Sequence, residues 1–591
     1  MSGGGRIDQN EPRTDAKAYQ DLDIAAQITE DHEAQMSKPS PGPASPASTT
    51  SSTNTGDIEY VYLNFDTDIA VRPVFPDNTV KNYPPCPNLK KYDNPYTWSK
   101  TRKNLMTWVS CATNMTAAYS AGAYAAPEAQ LTELWGVSRV AYNVGITVFT
   151  AGFGIGPMFL APFSEINGRR PVFIATGILF VAMQLACSLT NSYTGMLVAR
   201  FFGGLGGSTF STMVGGILAD IWVSSERNTP MVLFTGATLF GTGLGPLVSG
   251  FVAQRLLWRW VFYIQVITSG MFVGLITIFF KETRGPILLS RKAKALNTWY
   301  DKLESLGAIG MEPPEPTSTS ASASATSSHN EKLQAPHPPP HPQRIRYKVL
   351  AEEQRASILQ MIKLSLTRPA QLLFTEPVVI CFSLWISFSW AVLYLQFGAI
   401  PLVYATNHAF TLEQTGAVFT APCVGAILST ILFIHQDKWA VRRFGARFTA
   451  NPEGRLWFTC AEALLMPIGM FWFGWTCYSD IHWVVPTIAL VVVTMGIFSI
   501  FLATFNYTAD VYQTYASSAL AASGVCRNFL GGSFPLVTVQ MFRGMGFQAA
   551  SSLLGAVGIV LSLGPILLIW FGPRIRLKSK VARQFVRSDQ V

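Results

Sequence analysis

Charged side chains are scarce in this chain, so the few that fall inside or against long apolar runs mark where chemistry must be sought. Of 591 residues, 49% are hydrophobic and only 13% are charged. Residues 161–171, APFSEINGRRP, place Glu165, Gly168 and the pair Arg169 and Arg170 in a short loop between two apolar runs. A carboxylate, a turn-permitting glycine and two guanidiniums in such a loop can lock neighbouring helices by charge pairing and release them when a mouth opens. The competing reading is surface charge that only fixes topology. Arg200 lies within LVARFFGGLGGS. A charge at mid-membrane costs a few kcal/mol even on lenient insertion scales, so Arg200 must face a cavity or a partner. Glu462 lies within another apolar run and reads equally as a proton site or as a carboxyl kept neutral by burial or drawn to an interface.

The stretch 241–250, GTGLGPLVSG, carries no charge but constrains the backbone. Gly241 and Gly245 stand four apart and share one helix face, which lets a second helix approach at backbone distance. Pro246 cannot donate to the Thr242 carbonyl and its ring crowds that turn, so the helix is expected to bend or loosen there, with Gly250 one turn on. Such a helix suits a moving joint; a packing face in any polytopic protein is the simpler reading.

The elements that must hold these residues are membrane spans. Runs of about 20 apolar residues suffice to cross a bilayer core of roughly 30 Å. Six are expected near 105–126, 141–162, 172–190, 194–221, 229–254 and 258–280, and six more near 376–405, 413–435, 455–477, 483–505, 517–541 and 547–571. Residues 1–100 read as a disordered cytosolic tail, 101–280 as one six-helix bundle, and 281–375 as a partly disordered cytosolic linker with short amphipathic helices at 291–303 and 347–366. Residues 376–571 form the second bundle and 572–591 a basic cytosolic tail. Arg169, Arg170, Lys281, Arg284, Arg442, Arg443, Arg574 and Arg576 fall in alternate loops, which puts both termini in the cytosol and favours an even span count. The fold class is therefore all-α and polytopic.

Several function classes drop out. The net charge of +9 is spread over short loops and the C-terminal tail rather than one soluble face, so nucleic acid is not an expected partner. The eight cysteines have no metal-ligand spacing. No phosphate loop of the form G-x-x-x-x-G-K-(S/T) occurs, so ATP does not drive the work. No catalytic residue, metal or cofactor is expected, and the chain does not read as an enzyme.

G-x-x-x-G-P-x-x-(S/G)-G in a fifth span resembles the antiporter motif of the major facilitator superfamily, and S-E-x-x-G-R-R-P resembles the gating loop of its fungal twelve-span drug:proton antiporters. The general superfamily has an Asp followed by a basic residue where this chain has Glu165 and Ile166. Arg200 with its glycine-rich turn resembles the fourth-span motif, to which proton coupling is usually attributed. Asp220, with Glu226 and Arg227, resembles the D-x-x-x-x-x-E-R ending of that span and is expected to join a network with Glu165 and Arg169. WRWVFYIQ from Trp258, KETRGPILLSRKA from Lys281, TEP at Thr375, PEGRL from Pro452 and the long run from Asn506 are also similar to the family.

The resemblance implies a major facilitator fold of twelve helices in two bundles, with a pocket near midplane between the halves, lined by spans one, four, seven and ten. Its expected lining comprises Asn114, Tyr119, Trp385, Trp390, Tyr394, Gln396, Asn506 and Tyr507. Each of these aromatic and polar residues also has a plain packing or interface reading. The expected activity is proton-driven export of an amphipathic drug or secondary metabolite by a monomer in the plasma membrane, with protons and lipid as the other partners. The Ser/Ala/Pro-rich tails are similar to those of smut-type basidiomycete proteins, which makes a secreted glycolipid one candidate cargo. Transport of a small organic acid or polyamine, and a non-transporting membrane sensor, remain open beside it.

Overall fold

The computed structural model describes residues 58–76, 83–223, 226–312, 343–353, 358–444, 452–512 and 515–579. Among these, nine helices are long and apolar enough to cross a membrane. Three more long helices, Lys100–Ala123, Tyr193–Ile221 and Ala516–Met545, have the length but are diluted by Gly, Ser, Thr and one to three basic residues each. They occupy the first, fourth and eleventh expected positions. The others follow in order as Arg139–Asn167, Arg169–Leu189, Asn228–Arg255, Arg259–Phe279, Pro377–Asn407, Thr420–Phe444, the broken pair Pro452–Ala463 and Leu465–Thr476, Val484–Tyr512, and Phe547–Lys578. Short helices Glu128–Trp135 and Leu412–Val418 precede the second and eighth spans.

Small residues set how closely these helices approach. A Cβ on Gly204 would lie 2.0 Å from the Phe149 carbonyl oxygen, so the second and fourth spans meet backbone to backbone. The two halves join along two seams. In one, the Thr147 hydroxyl donates to the Gly532 carbonyl at 2.7 Å and Asn143 donates to the Pro535 carbonyl at 3.2 Å, tying the second span to the eleventh. In the other, the fifth span lies along the eighth, where Gly250 and Gly416 face each other and Arg255 pairs with Glu413. Both seams are tight at the end opposite the Arg169 loop.

The expected disordered tail needs correction over part of its length. β1 (Ile58–Tyr62) pairs in parallel with β4 (Arg344–Lys348), and β2 (Pro73–Val74) pairs antiparallel with β3 (Gly310–Met311). Leu63 and Ala70 from the tail share a core with Leu296, Trp299, Tyr300 and Leu303 of the linker helix Gly285–Ser305, and with Ile345 and Tyr347 of β4. The segments IEYVY and RIRYKV have the short β-branched and aromatic alternation of strands, hidden within a Ser/Pro-rich average. The helix expected at 347–366 is instead the end of β4 followed by helices Leu350–Glu353 and Ile358–Thr375. The low-complexity stretches at 39–56 and 313–342 lie outside the described residues.

Candidate functional site

A narrow cavity lies between the halves, with about 20 Å³ of free volume in this conformation. Three of the expected residues line it: Asn114 from the first span and Trp390 and Tyr394 from the seventh. The Asn114 carboxamide donates to the Thr238 hydroxyl at 2.6 Å, which fixes its orientation toward the fifth span. Trp390 stacks on Phe501 with ring centroids 5.2 Å apart. The wall also includes Phe149 and Phe153 of the second span, Ser211, Thr242 and, from the eleventh span, Arg527 and Asn528. The lining thus draws on spans one, two, four, five, seven and eleven, and the tenth contributes none of the lining side chains. Sequence reasoning passed over Arg527, although the signal was present: an arginine inside ASSALAASGVCRNFLGG meets the same energetic objection as Arg200.

The remaining expected lining residues serve elsewhere. Tyr119 is buried beside Ala123, Ala253 and Val261, where the first, fifth and sixth spans meet. Trp385 is fully buried and donates to the Ser562 hydroxyl at 3.1 Å, a contact with the twelfth span. Gln396 is buried and Asn506 half-buried, both outside the lining. Tyr507 stacks on Phe382 at 5.1 Å and donates to Glu453 at 3.5 Å. Their helical positions were compatible with a pocket, but rotation about each helix axis decided which face they occupy.

Arg200 is 1% exposed. Its Nε donates to the Gly145 carbonyl and its Nη1 to the Ser120 carbonyl, at 3.2 and 3.1 Å. The guanidinium carbon lies 4.4 Å from the Tyr124 ring centroid and 4.3 Å from that of Phe149. Aromatic faces and backbone dipoles thus take the place of a carboxylate, and among the described residues Arg200 forms no ion pair. It sits behind Phe149 rather than on the cavity wall. Glu462 accepts from the Ser499 hydroxyl at 3.3 Å and is likewise outside the cavity lining.

At the basic end, Arg169 Nε meets Asp220 Oδ2 at 2.5 Å, with both side chains largely buried. Asp220 is also within 3.6 Å of Arg284 and accepts from the Thr283 hydroxyl at 3.4 Å. Glu282 accepts from the backbone N–H groups of Arg169 and Arg170, at 2.9 and 3.3 Å, so its charge sits at the positive end of the third span. It also accepts from the N–H groups of Thr283 and Arg284. Gly168 has φ +96° and a Cβ there would fall 2.3 Å from Glu282 Oε2, so both conformation and space require glycine. Arg170 donates to the Thr277 carbonyl at 2.9 Å. The expected network therefore changes membership. Glu165 and Arg227 form no ion pair among the described residues, and Glu282 and Arg284 take their place.

The second half carries an ion pair at the matching helix ends. In the first half Arg169 at the start of the third span pairs with Asp220 at the end of the fourth, while Glu282 after the sixth accepts from the backbone at the start of the third. In the second, Glu453 is in the first turn of the ninth span and pairs at 2.7 Å with Arg576, near the end of the twelfth. The echo expected at Asp437, Arg442 and Arg443 is not this cluster: those residues lie within Thr420–Phe444, and both arginines are exposed.

The glycine stretch forms the first-to-fifth span crossing. A Cβ on Gly241 would lie 2.4 Å from the Met115 carbonyl oxygen, and one on Gly245 would lie 2.4 Å from that of Tyr119. Pro246 and the Thr242 carbonyl would each be 2.7 Å from a Cβ on Gly122, so the ring packs where the opposing helix also lacks a side chain. The fifth span stays a continuous helix through Pro246. Gly250 faces Gly416 across the half-to-half seam.

The family model of the Major Facilitator Superfamily matches residues 108–536. The transporter paaT of Penicillium rubens is 34% identical over 83% of this chain and 82% of its own length. A protein of Saccharomyces cerevisiae described as a probable drug/proton antiporter, YHK8, is 30% identical over 82% of this chain and 86% of its own. The Escherichia coli xylose transporter XylE, in a partially occluded inward open conformation, shares the fold with a TM-score of 0.51 at 17% identity, covering 79% of this chain and 98% of that one. With two bundles of long helices closing on a shared cavity and a family match across nearly all of them, the chain belongs to the major facilitator superfamily.

Proposed function

We propose that this protein exports an amphipathic small molecule, a drug or secondary metabolite, in exchange for protons, as a monomer in the plasma membrane with both termini cytosolic. The observation that carries this reading is the cavity walled by both halves, with the halves joined across it by the Thr147–Gly532 and Arg255–Glu413 contacts, an arrangement alternating access can use. Similarity to a drug/proton antiporter supports the direction and the driving ion.

In this reading Arg169, Asp220 and Glu282 form a latch at the cytosolic mouth, joined by Gly168 and Arg170. Glu453 and Arg576 form its counterpart. Gly241, Gly245 and Pro246 lock the first and fifth spans into one unit, and Gly250 lies on the seam along which the halves rock. Arg200 serves coupling, and Asn114, Trp390 and Tyr394 hold substrate. The proton gradient is sufficient: about 2.3 kcal/mol for 100 mV plus about 1.36 kcal/mol for each of one to two pH units gives roughly 4 to 5 kcal/mol, close to a thousandfold gradient at one-to-one exchange.

The test is deletion in the host with add-back of wild type or Arg200→Ala, followed by mass spectrometry of medium and cells. Export predicts a compound that accumulates inside on deletion, returns to the medium only with wild type, and stays inside when a protonophore is added. Efflux that persists unchanged under the protonophore refutes proton drive. Lost signalling with no change in any flux would favour a sensor.

A further inference from the structure

The cavity lining contains one charged side chain, Arg527, and no acid. Arg527 is 4% exposed, and its Nε has no hydrogen-bond partner. Its guanidinium carbon lies 4.6 Å from the Trp390 ring centroid and 5.2 Å from that of Phe501. No ion pair forms at Arg527 among the described residues. The polar groups around it are neutral and mostly committed: Asn528 donates to the Gly524 carbonyl, Asn114 to Thr238, and the Thr242 hydroxyl to the Thr238 carbonyl.

A desolvated guanidinium left without an anion is strongly unfavourable, and aromatic faces offset only part of that cost. The first half adds to the same field. Arg200 lies behind Phe149, itself a lining residue. One fixed cation from each half thus acts on a pocket with aromatic walls. A cationic substrate such as a polyamine would meet repulsion from both.

We propose, building on the export reading, that Arg527 anchors the carboxylate of an amphipathic monoanion whose apolar body lies against Trp390, Phe149 and Phe153. A charge-assisted bond to a buried guanidinium supplies the missing counter-charge, and the aromatic walls supply sequence-tolerant apolar contact.

The experiment uses the full chain in lipid nanodiscs and three ring-matched probes, 1-naphthoate, 1-naphthamide and 1-naphthylmethylamine, with binding read by isothermal calorimetry. Wild type should prefer naphthoate to naphthamide by about tenfold or more and bind the ammonium probe weakest. Arg527→Gln should abolish the preference while keeping naphthamide affinity, and Arg527→Lys should restore part of it. Gel-filtration profile and melting temperature of both variants establish that they are folded. Naphthamide binding as tightly as naphthoate, or a preference that survives Arg527→Gln, overturns the proposal and leaves export of neutral compounds standing. Failure of all three probes to bind, together with no proton-dependent efflux in cells, overturns both.

Discussion

Removing Asp220 should cost more than removing the arginine it pairs with. Asp220 is the only carboxylate that meets the Arg169 side chain among the described residues, because Glu282 is committed to four backbone N–H groups. Arg169 is 7% exposed, so Asp220→Ala leaves a guanidinium buried without compensation. Such a loss costs about 3–5 kcal/mol. Arg169→Ala removes a charge-assisted hydrogen bond of about 1.5–3 kcal/mol, but Asp220 keeps Arg284 at 3.6 Å and the Thr283 hydroxyl at 3.4 Å. The double variant should be less damaged than the sum of the singles, since no orphaned charge remains, with a coupling of about 0.5–3 kcal/mol. Unfolding free energies from SDS titration in mixed micelles give all three values. If Arg169→Ala proves as harmful as Asp220→Ala, or if the two effects add, the cluster does not hold the helices in the way described.

Three further outcomes follow from the same geometry. Gly245→Leu places a side chain where even a Cβ would be 2.4 Å from the Tyr119 carbonyl oxygen; it should abolish efflux by separating the first and fifth spans, whereas Gly274→Leu, at an open site, should retain it in the same assay. Glu453→Gln leaves Arg576 without its carboxylate in a half-buried setting, and should lower the melting temperature and increase labelling of a cysteine introduced at Gly572, whose own Cβ would lie 2.9 Å from Glu453. Arg344 and Arg346 hold the Glu304 carboxyl below its usual range. The tail–linker module therefore keeps that contribution above the ordinary carboxylate range near pH 4 and loses it as pH falls through the depressed value. Hydrogen-exchange protection factors in β4, taken relative to the intrinsic rate at each pH, should fall below about pH 4, and Glu304→Gln should remove that fall.

Long apolar runs, loop charges and the spacing of Gly241, Gly245 and Pro246 made the bundle architecture legible in the sequence, because bilayer thickness, desolvation cost and helical period act on nearby residues. The same local logic points to Arg169, Arg200 and the small-faced crossing and applies equally to Arg527, whereas Asp220 was legible only through the resemblance. Averaged composition hid the IEYVY and RIRYKV strands, whose partners lie almost three hundred residues apart. What sequence left undecided was rotation and partnership. Trp385 and Trp390 are five residues apart on one helix, yet one fills the packing against the twelfth span and the other walls the cavity. The sequence pointed to Glu165 as the acid of the gating loop, and only the fold brings Glu282 to the start of the third span. Composition and period decide which segments cross the membrane; which face of each meets the cavity is set by side chains of other helices, and that is decided only when the helices pack.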